Sequence, residues 1–281
     1  MTDSVFTIGD QQSRWASTRP RDPKWASYLA EREDNLFLRH LHADTLREFR
    51  LSDGSELKDT PKRPAKMRAL VSSSALAVNF FDAWRDTDKS VLSEALDLPS
   101  AISTLTFEYK TRSYPVRPRS PNLDLMMRLR NSRHVAVESK FSEPYCSSNG
   151  YGLLSAKYFP TTAKLWEHAG LPSVQRVAET LRPEWIHLDV PQLVKHLLGL
   201  AADPSKPAML IYLWFDTAKP DALAHRREVE RFSAAVAGSP VEFLAITYQE
   251  VFARLKPSVE PVPEWYSYMD GRYFQTSGLT A

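Results

Sequence analysis

The chain has 281 residues, 43% hydrophobic and 25% charged, which is enough for one sizeable core with additions or for two small domains; its net charge of +2 is uninformative about nucleic acid, because a local patch can do the binding. One cysteine, Cys146, excludes an intrachain disulfide and a cysteine-built zinc site, and reads as a small inert residue. The start, MTDSVFTIGDQQSRW, lacks the apolar run of a signal peptide, and the longest apolar run, AMLIYLWF at 208–215, is too short for a bilayer, so a cytoplasmic protein with no membrane partner is expected.

Residues 1–70 are polar and irregular and read as an N-terminal extension, with one helix expected over about 25–50 and a Pro- and Lys-rich turn, DTPKRPAKMR, after it. In SSSALAVNFFDAWR, residues 72–85, a Ser cap precedes Leu76, Phe80 and Trp84 at i, i+4 and i+8, the spacing of a helix face set on a core. Three strands are predicted over 105–109 (LTFEY), 123–129 (LDLMMRL) and 135–140 (VAVESK). RSYPVRPRSPN separates the first two, and RNSR, short enough for a hairpin, the last two.

Residues 143–185 are mixed, with the Gly-rich SSNGYG and a helix near 161–169, and read as an insertion. HLDVPQLVKHLLGL, 187–200, predicts a helix opening near Pro191 with Leu193, Leu197 and Leu200 on one face. MLIYLWF is a fully apolar strand, 221–237 an amphipathic helix, 241–248 a last strand with a short helix behind it, and 257–281 a tail. A strand as apolar as MLIYLWF must be covered on both sides, so the expected fold is α/β: a central mixed sheet with helices on both faces, carried by residues 71–256.

Charge is distributed unevenly. Between 110 and 140 stand Lys110, Arg112, Arg117, Arg119, Arg128, Arg130, Arg133 and Lys140 against Asp124 and Glu138, a local +6, while the remainder carries −4. This segment is either a solvated basic surface or a nucleic-acid contact.

HVAVESKF, residues 134–141, begins as a buried strand and ends in charge. Side chains alternate across a strand, so Ala136, Glu138 and Lys140 share one face. In the strand before, Asp124, Met126 and Arg128 share a face; if the two strands pair, Asp124 lies close to Glu138. Two carboxylates held together in a dry site repel, and a divalent cation or a shared proton relieves them. Oxygen ligands suit Mg²⁺ or Mn²⁺, and a neighbouring lysine can orient or deprotonate a water, or balance phosphate charge. The bland alternative is a surface ion pair at a fraying strand end.

The succession PNLD at 121–124, then ESK at 138–140, 14 positions on, resembles the signature of the PD-(D/E)XK (restriction-endonuclease-like) nuclease superfamily. SSSALAVNFF, ESKFSEPY and PQLVKHLLGL resemble a bacterial subgroup of restriction-like endonucleases, so that the likeness spans roughly 72–215. The resemblance implies a restriction-endonuclease-like fold and a Mg²⁺- or Mn²⁺-dependent nuclease, with Asp124 and Glu138 as metal-binding carboxylates, the Ser139 carbonyl as a further ligand, Lys140 as catalytic lysine and Gln192 near the metal water. It implies nucleic acid, DNA before RNA, as partner, and leaves a homodimer open. The sequence departs from the pattern in having His196 where a tyrosine often follows the glutamine, and Asn122 and Leu123 between Pro121 and Asp124.

For the acid that some members supply from the first helix, the candidates are Asn79, Glu94 and Glu108. Bland readings stand beside these: Gln192 as a helix-cap residue, Glu108 paired with Lys110 or an arginine, His40 and His42 as exposed, Trp84 and Trp214 as core. Tyr145, Tyr151, Lys157 and Tyr158 interleave rings and charge as a nucleic-acid surface does, or form a lid packed on its own aromatics. The rival to cleavage is a protein that keeps the fold and binds nucleic acid without cutting it.

Overall fold

The computed structural model describes residues 7–52, 54–111, 122–146, 152–160, 164–180, 185–203, 205–218, 220–255 and 263–274. Along the chain come α1 (Ile8–Trp15), α2 (Ala43–Leu51), α3 (Ser73–Phe81), α4 (Ser90–Ala95), β1 (Ile102–Lys110), β2 (Asn122–Leu129) and β3 (His134–Lys140). They are followed by α5 (Leu165–His168), α6 (Pro172–Glu179), α7 (Val190–Ala201), β4 (Ala208–Trp214), α8 (Pro220–Val236), β5 (Val241–Thr247), α9 (Tyr248–Arg254) and α10 (Pro263–Met269). Two compact units result: residues 1–101, 215–218 and 247–281, and residues 102–214 and 219–246. Among the described residues no helix is long and apolar enough to cross a membrane.

The second unit holds the five-stranded sheet, in spatial order β1-β2-β3-β4-β5. β1, β2 and β3 are antiparallel neighbours, and β3 pairs with β4 in parallel. The sheet is therefore mixed and flanked by helices, as expected for a restriction-endonuclease-like α/β fold. All seven residues of β4 are buried, which a strand with covered faces requires. The β2–β3 hairpin closes on a Leu129 N–H to Arg133 C=O bond of 2.9 Å, with Ser132 in the left-handed region at φ 68°.

Helix α7 forms as its sequence dictates: Asp189 accepts the Gln192 N–H at 3.0 Å, Pro191 sits in the first turn, and Leu193, Leu197 and Leu200 are buried. They pack with Ala136, Leu210 and Tyr212 of the sheet and with Trp166, Val174 and Phe232. Each such large apolar side chain contributes about 1.5–3 kcal/mol on burial. At Gly199 the helix runs against Thr111 so closely that a β-carbon would lie 2.4 Å from Thr111 Oγ1.

In the first unit Ser72 caps α3 by accepting the Ala75 N–H at 3.1 Å, and Leu76, Phe80 and Trp84 are buried, as their spacing predicts. A single helix over 25–50 does not form. Only a 3-10 turn at Arg32–Asn35 and α2 are helical there, and Arg39 has φ 58°. Tertiary hydrogen bonds win over local propensity: Asn35 donates to the carbonyls of Met67 and Ala69, and the Phe37 N–H donates to Asn79. The helix expected near 161–169 is the single turn α5, and 161–163 lie outside the described residues. A second helix, α6, was not anticipated.

Arg272 is 1% exposed, and its hydrogen bonds go to the neutral groups of Gln12, Asn35 and Tyr268. It donates to Asn35 O at 2.7 Å and to Gln12 Oε1 at 3.0 Å, and lies 3.8 Å over the Trp15 ring. The chain's first and last described helical segments are tied together by this residue.

Candidate active site

The β2–β3 register pairs Leu125 with Val137 and Met126 with Ala136, so counting one step further sets Asp124 opposite Glu138. Asp124 Oδ2 accepts the Ser139 N–H at 2.7 Å, which fixes it across the strand end. Glu138 is 1% exposed; its Oε1 accepts from Lys140 Nζ at 2.6 Å. Lys140 Nζ also donates to Gln192 Oε1 at 2.8 Å, so the first turn of α7 and the end of β3 share one ammonium. The structure thus brings Asp124, Glu138, Ser139, Lys140 and Gln192 together in the second unit. Pro121 lies outside the described residues.

The electrostatics are those of crowded acids around one base. Burial, and then the charge of Glu138, push the Asp124 carboxyl well above the usual range, against the pull of Lys140 and the Ser139 N–H. For Glu138 burial works upward too, but Lys140 and His196 outweigh it and hold the carboxyl down at about 2. Burial disfavours the Lys140 ammonium, yet Glu138, Asp124 and Glu143 together hold its pKa above the ordinary lysine value. Asp189 is raised, first by burial, with Lys140 acting against it. In this state Lys140 is a charged donor.

Three residues near the lysine escaped the sequence reading as site members. Glu143 sits in the turn after β3, where its Oε2 accepts the Phe141 N–H at 2.8 Å. Asp189 is the cap of α7. His196, wholly buried, places Nε2 2.9 Å from Glu138 Oε2. A signal for His196 existed: Gln192 and His196 are four apart, hence on one face of a helix.

The other candidates fall elsewhere. Asn79 is a core residue of the first unit, bonded to Phe37, Asn35 and Tyr273. Glu94 is exposed on α4. Glu108 takes φ 51° inside β1, accepts from Asn122 Nδ2 at 3.0 Å, and adds to the negative potential that raises Asp124. His40 is exposed, whereas His42 caps α2 through the Asp44 N–H. Trp84 and Trp214 are core.

Of the interleaved aromatics, Tyr145 is buried with its ring edge toward His225, and Tyr158 is half-buried with Lys157 over it. Tyr151 lies outside the described residues, as do Arg112, Arg117 and Arg119 of the basic segment. Lys110, Arg128 and Arg130 are exposed, and Arg133 pairs with Glu242.

Among the described residues no group of three or more His, Cys, Asp or Glu side chains converges to hold a metal ion. The site offers two hard oxygen ligands and a lysine. That donor set fits a cation completed by water and substrate phosphate, as Mg²⁺ sites commonly are, and does not fit a zinc-type cage. The observation in favour is the geometry: Asp124 and Glu138 stand opposite each other at the end of the paired strands, Asp124 held by the Ser139 N–H, and a cation there would offset the burial and the repulsion that raise Asp124.

A family described as Restriction Endonuclease associating with ARP (REase-ARP) matches residues 11–274. The chain belongs to this family, which places it in the PD-(D/E)XK restriction-endonuclease-like superfamily. No curated protein matches it, and no solved structure does.

Proposed function

We propose that the protein is a divalent-metal-dependent nuclease that hydrolyses phosphodiester bonds, with DNA as its substrate. The observation that carries this reading is the shared ammonium: Lys140 Nζ bonds both Glu138 Oε1 and Gln192 Oε1, beside an Asp124 whose carboxyl is raised by burial and by Glu138. Asp124 and Glu138 would hold Mg²⁺ or Mn²⁺, with the Ser139 carbonyl as a further ligand. Held there, the ion would supply Lewis-acid chemistry toward a phosphate and a more acidic water.

The chain's own residues supply the rest. Lys140, kept protonated by its acids, places positive charge where phosphate charge grows, and orients a water by donation. Gln192 holds Lys140 in that position and presents an amide to the same water. The exposed Lys110, Arg128 and Arg130 supply backbone contacts of the kind that make nucleic-acid binding salt-dependent. An association with ARP, in the wording of the family's description, is carried to this chain as part of the proposal.

The test is cleavage of plasmid and linear DNA by the full chain in Mg²⁺, Mn²⁺ or chelator. Cutting should need the metal and disappear in Asp124→Ala, Glu138→Ala and Lys140→Ala. Equal cutting in chelator, or by the triple variant, overturns the reading. One observation favours the non-cleaving rival: both oxygens of Glu138 face protein groups, Lys140 and His196. DNA binding that survives all three substitutions, with no cutting in any metal, would establish that rival.

A further inference from the structure

Helix α7 touches the E-x-K unit twice. Gln192 reaches Lys140, and His196, one turn on, faces the other end of the pair with Nε2 2.9 Å from Glu138 Oε2. Both groups are buried, Glu138 at 1% and His196 at 0% exposure. Glu138 Oε2 and His196 Nε2 have no other partner among the described residues than each other, and His196 Nδ1 has none. Parting them would leave a buried carboxylate oxygen without its facing partner, at a cost of about 1–3 kcal/mol, so the contact constrains both side chains.

The bland reason would be a core histidine, and the molecule contains one for comparison. His225, also wholly buried, has Tyr212 OH at 2.9 Å from its Nε2, leaves Nδ1 without a partner among the described residues, and is enclosed by the rings of Tyr145, Tyr212 and Trp214; burial pushes its pKa down to about 3. His196 differs in what it faces: the carboxylate of the candidate site, at an oxygen that Lys140 does not use.

We infer that His196 is a positioning residue for Glu138: its Nε2 fixes Oε2, so that the carboxylate keeps one orientation with Oε1 turned to the Lys140 side, and this fixes the site's affinity for a divalent cation. The inference rests on the proposed function, because it needs Glu138 to hold the cation. His196 touches neither cation nor substrate, so its removal weakens metal binding and leaves turnover at saturating metal nearly unchanged. Loss of a hydrogen-bonding group behind a metal ligand costs about 10–100-fold in metal affinity. Gln192, which holds the lysine, gives the opposite split, a loss of turnover with metal affinity retained.

The experiment compares the full chain with His196→Leu, which keeps volume and loses the donor, and His196→Gln, which keeps a donor at the same reach. Mn²⁺ affinity is read by electron paramagnetic resonance, independently of cleavage, and folding by circular dichroism. His196→Leu should bind Mn²⁺ at least tenfold more weakly, with His196→Gln within about threefold of wild type. Wild-type affinity in His196→Leu overturns the inference and leaves the nuclease reading standing; equal weakening in both variants also overturns it, since packing would then be the cause. A wild-type chain that binds no Mn²⁺ overturns both.

Should His196→Leu fail to fold, nitrogen-15 histidine spectra of the wild type decide, with His196→Gln identifying the signal. Saturating Mg²⁺ should shift the Nε2 resonance of His196, and an unmoved resonance overturns the inference.

Discussion

Each of the two compact units buries a polar group of unusual charge, and they treat it differently. In the first, Arg272, Asn35, Asn79 and Gln12 form a closed network: Asn35 donates to two carbonyls, Asn79 accepts from Phe37 and donates to Asn35 and Tyr273, and Gln12 exchanges bonds with Arg272. In the second, Glu138, Lys140, Asp124 and His196 are crowded but unbalanced, with repelling carboxylates and polar atoms that lack a good partner. A closed network is how a fold holds itself; an open one, with Glu138 and His196 buried but Asp124 and Lys140 only partly so, is what a fold keeps for a ligand.

Substitutions can break or sharpen that contrast. The largest effect is expected in the open set: Lys140→Met should lower metal-dependent cleavage by roughly 10²–10⁴-fold, measured as initial rates at saturating Mn²⁺. In the closed set, Asn35→Ala strands an Arg272 donor and the carbonyls of Met67 and Ala69. It should cost about 3 kcal/mol in urea unfolding and leave Mn²⁺ affinity unchanged. Ser72→Ala removes only the α3 cap and should cost about 1 kcal/mol by the same measurement.

The smallest effect carries the most informative sign. A carboxyl whose folded pKa is raised favours folding in acid and opposes it once pH climbs past that value, so wild type carries the full penalty of Asp124 at high pH. Asp124→Asn should raise the melting temperature slightly at pH 9, with the gain fading as pH falls, and should abolish any stabilisation by Mn²⁺. Glu138 has the opposite sign: with its pKa down at about 2, its contribution is present above about 4.5 and lost as pH falls between the two. Glu138→Gln should flatten that part of the acid unfolding curve.

Much of this was readable in the residues. The hairpin turn RNSR fixes the count outward along both strands, and that count alone sets Asp124 against Glu138. The capped periodicity of α3 and α7 and the apolar run of β4 likewise name their own elements. What stayed hidden depends on groups distant in sequence. The stretch 25–50 looks helical until Asn79 and the carbonyls near residue 68 claim its backbone and side chains. His196 became visible as a neighbour of Glu138 only once α7 was docked on β3, more than 50 residues away.

The close approach at Gly199 has a consequence for the site. Three positions from His196 and seven from Gln192, it is where α7 meets Thr111, and a methyl group there would collide with a short, β-branched side chain that has no flexible end to yield. Gly199→Ala would therefore lever the whole helix outward, and the two side chains that reach Lys140 and Glu138 would withdraw together. The spacing of acid, base and amide is thus gauged by a single hydrogen atom on a residue with no chemistry of its own.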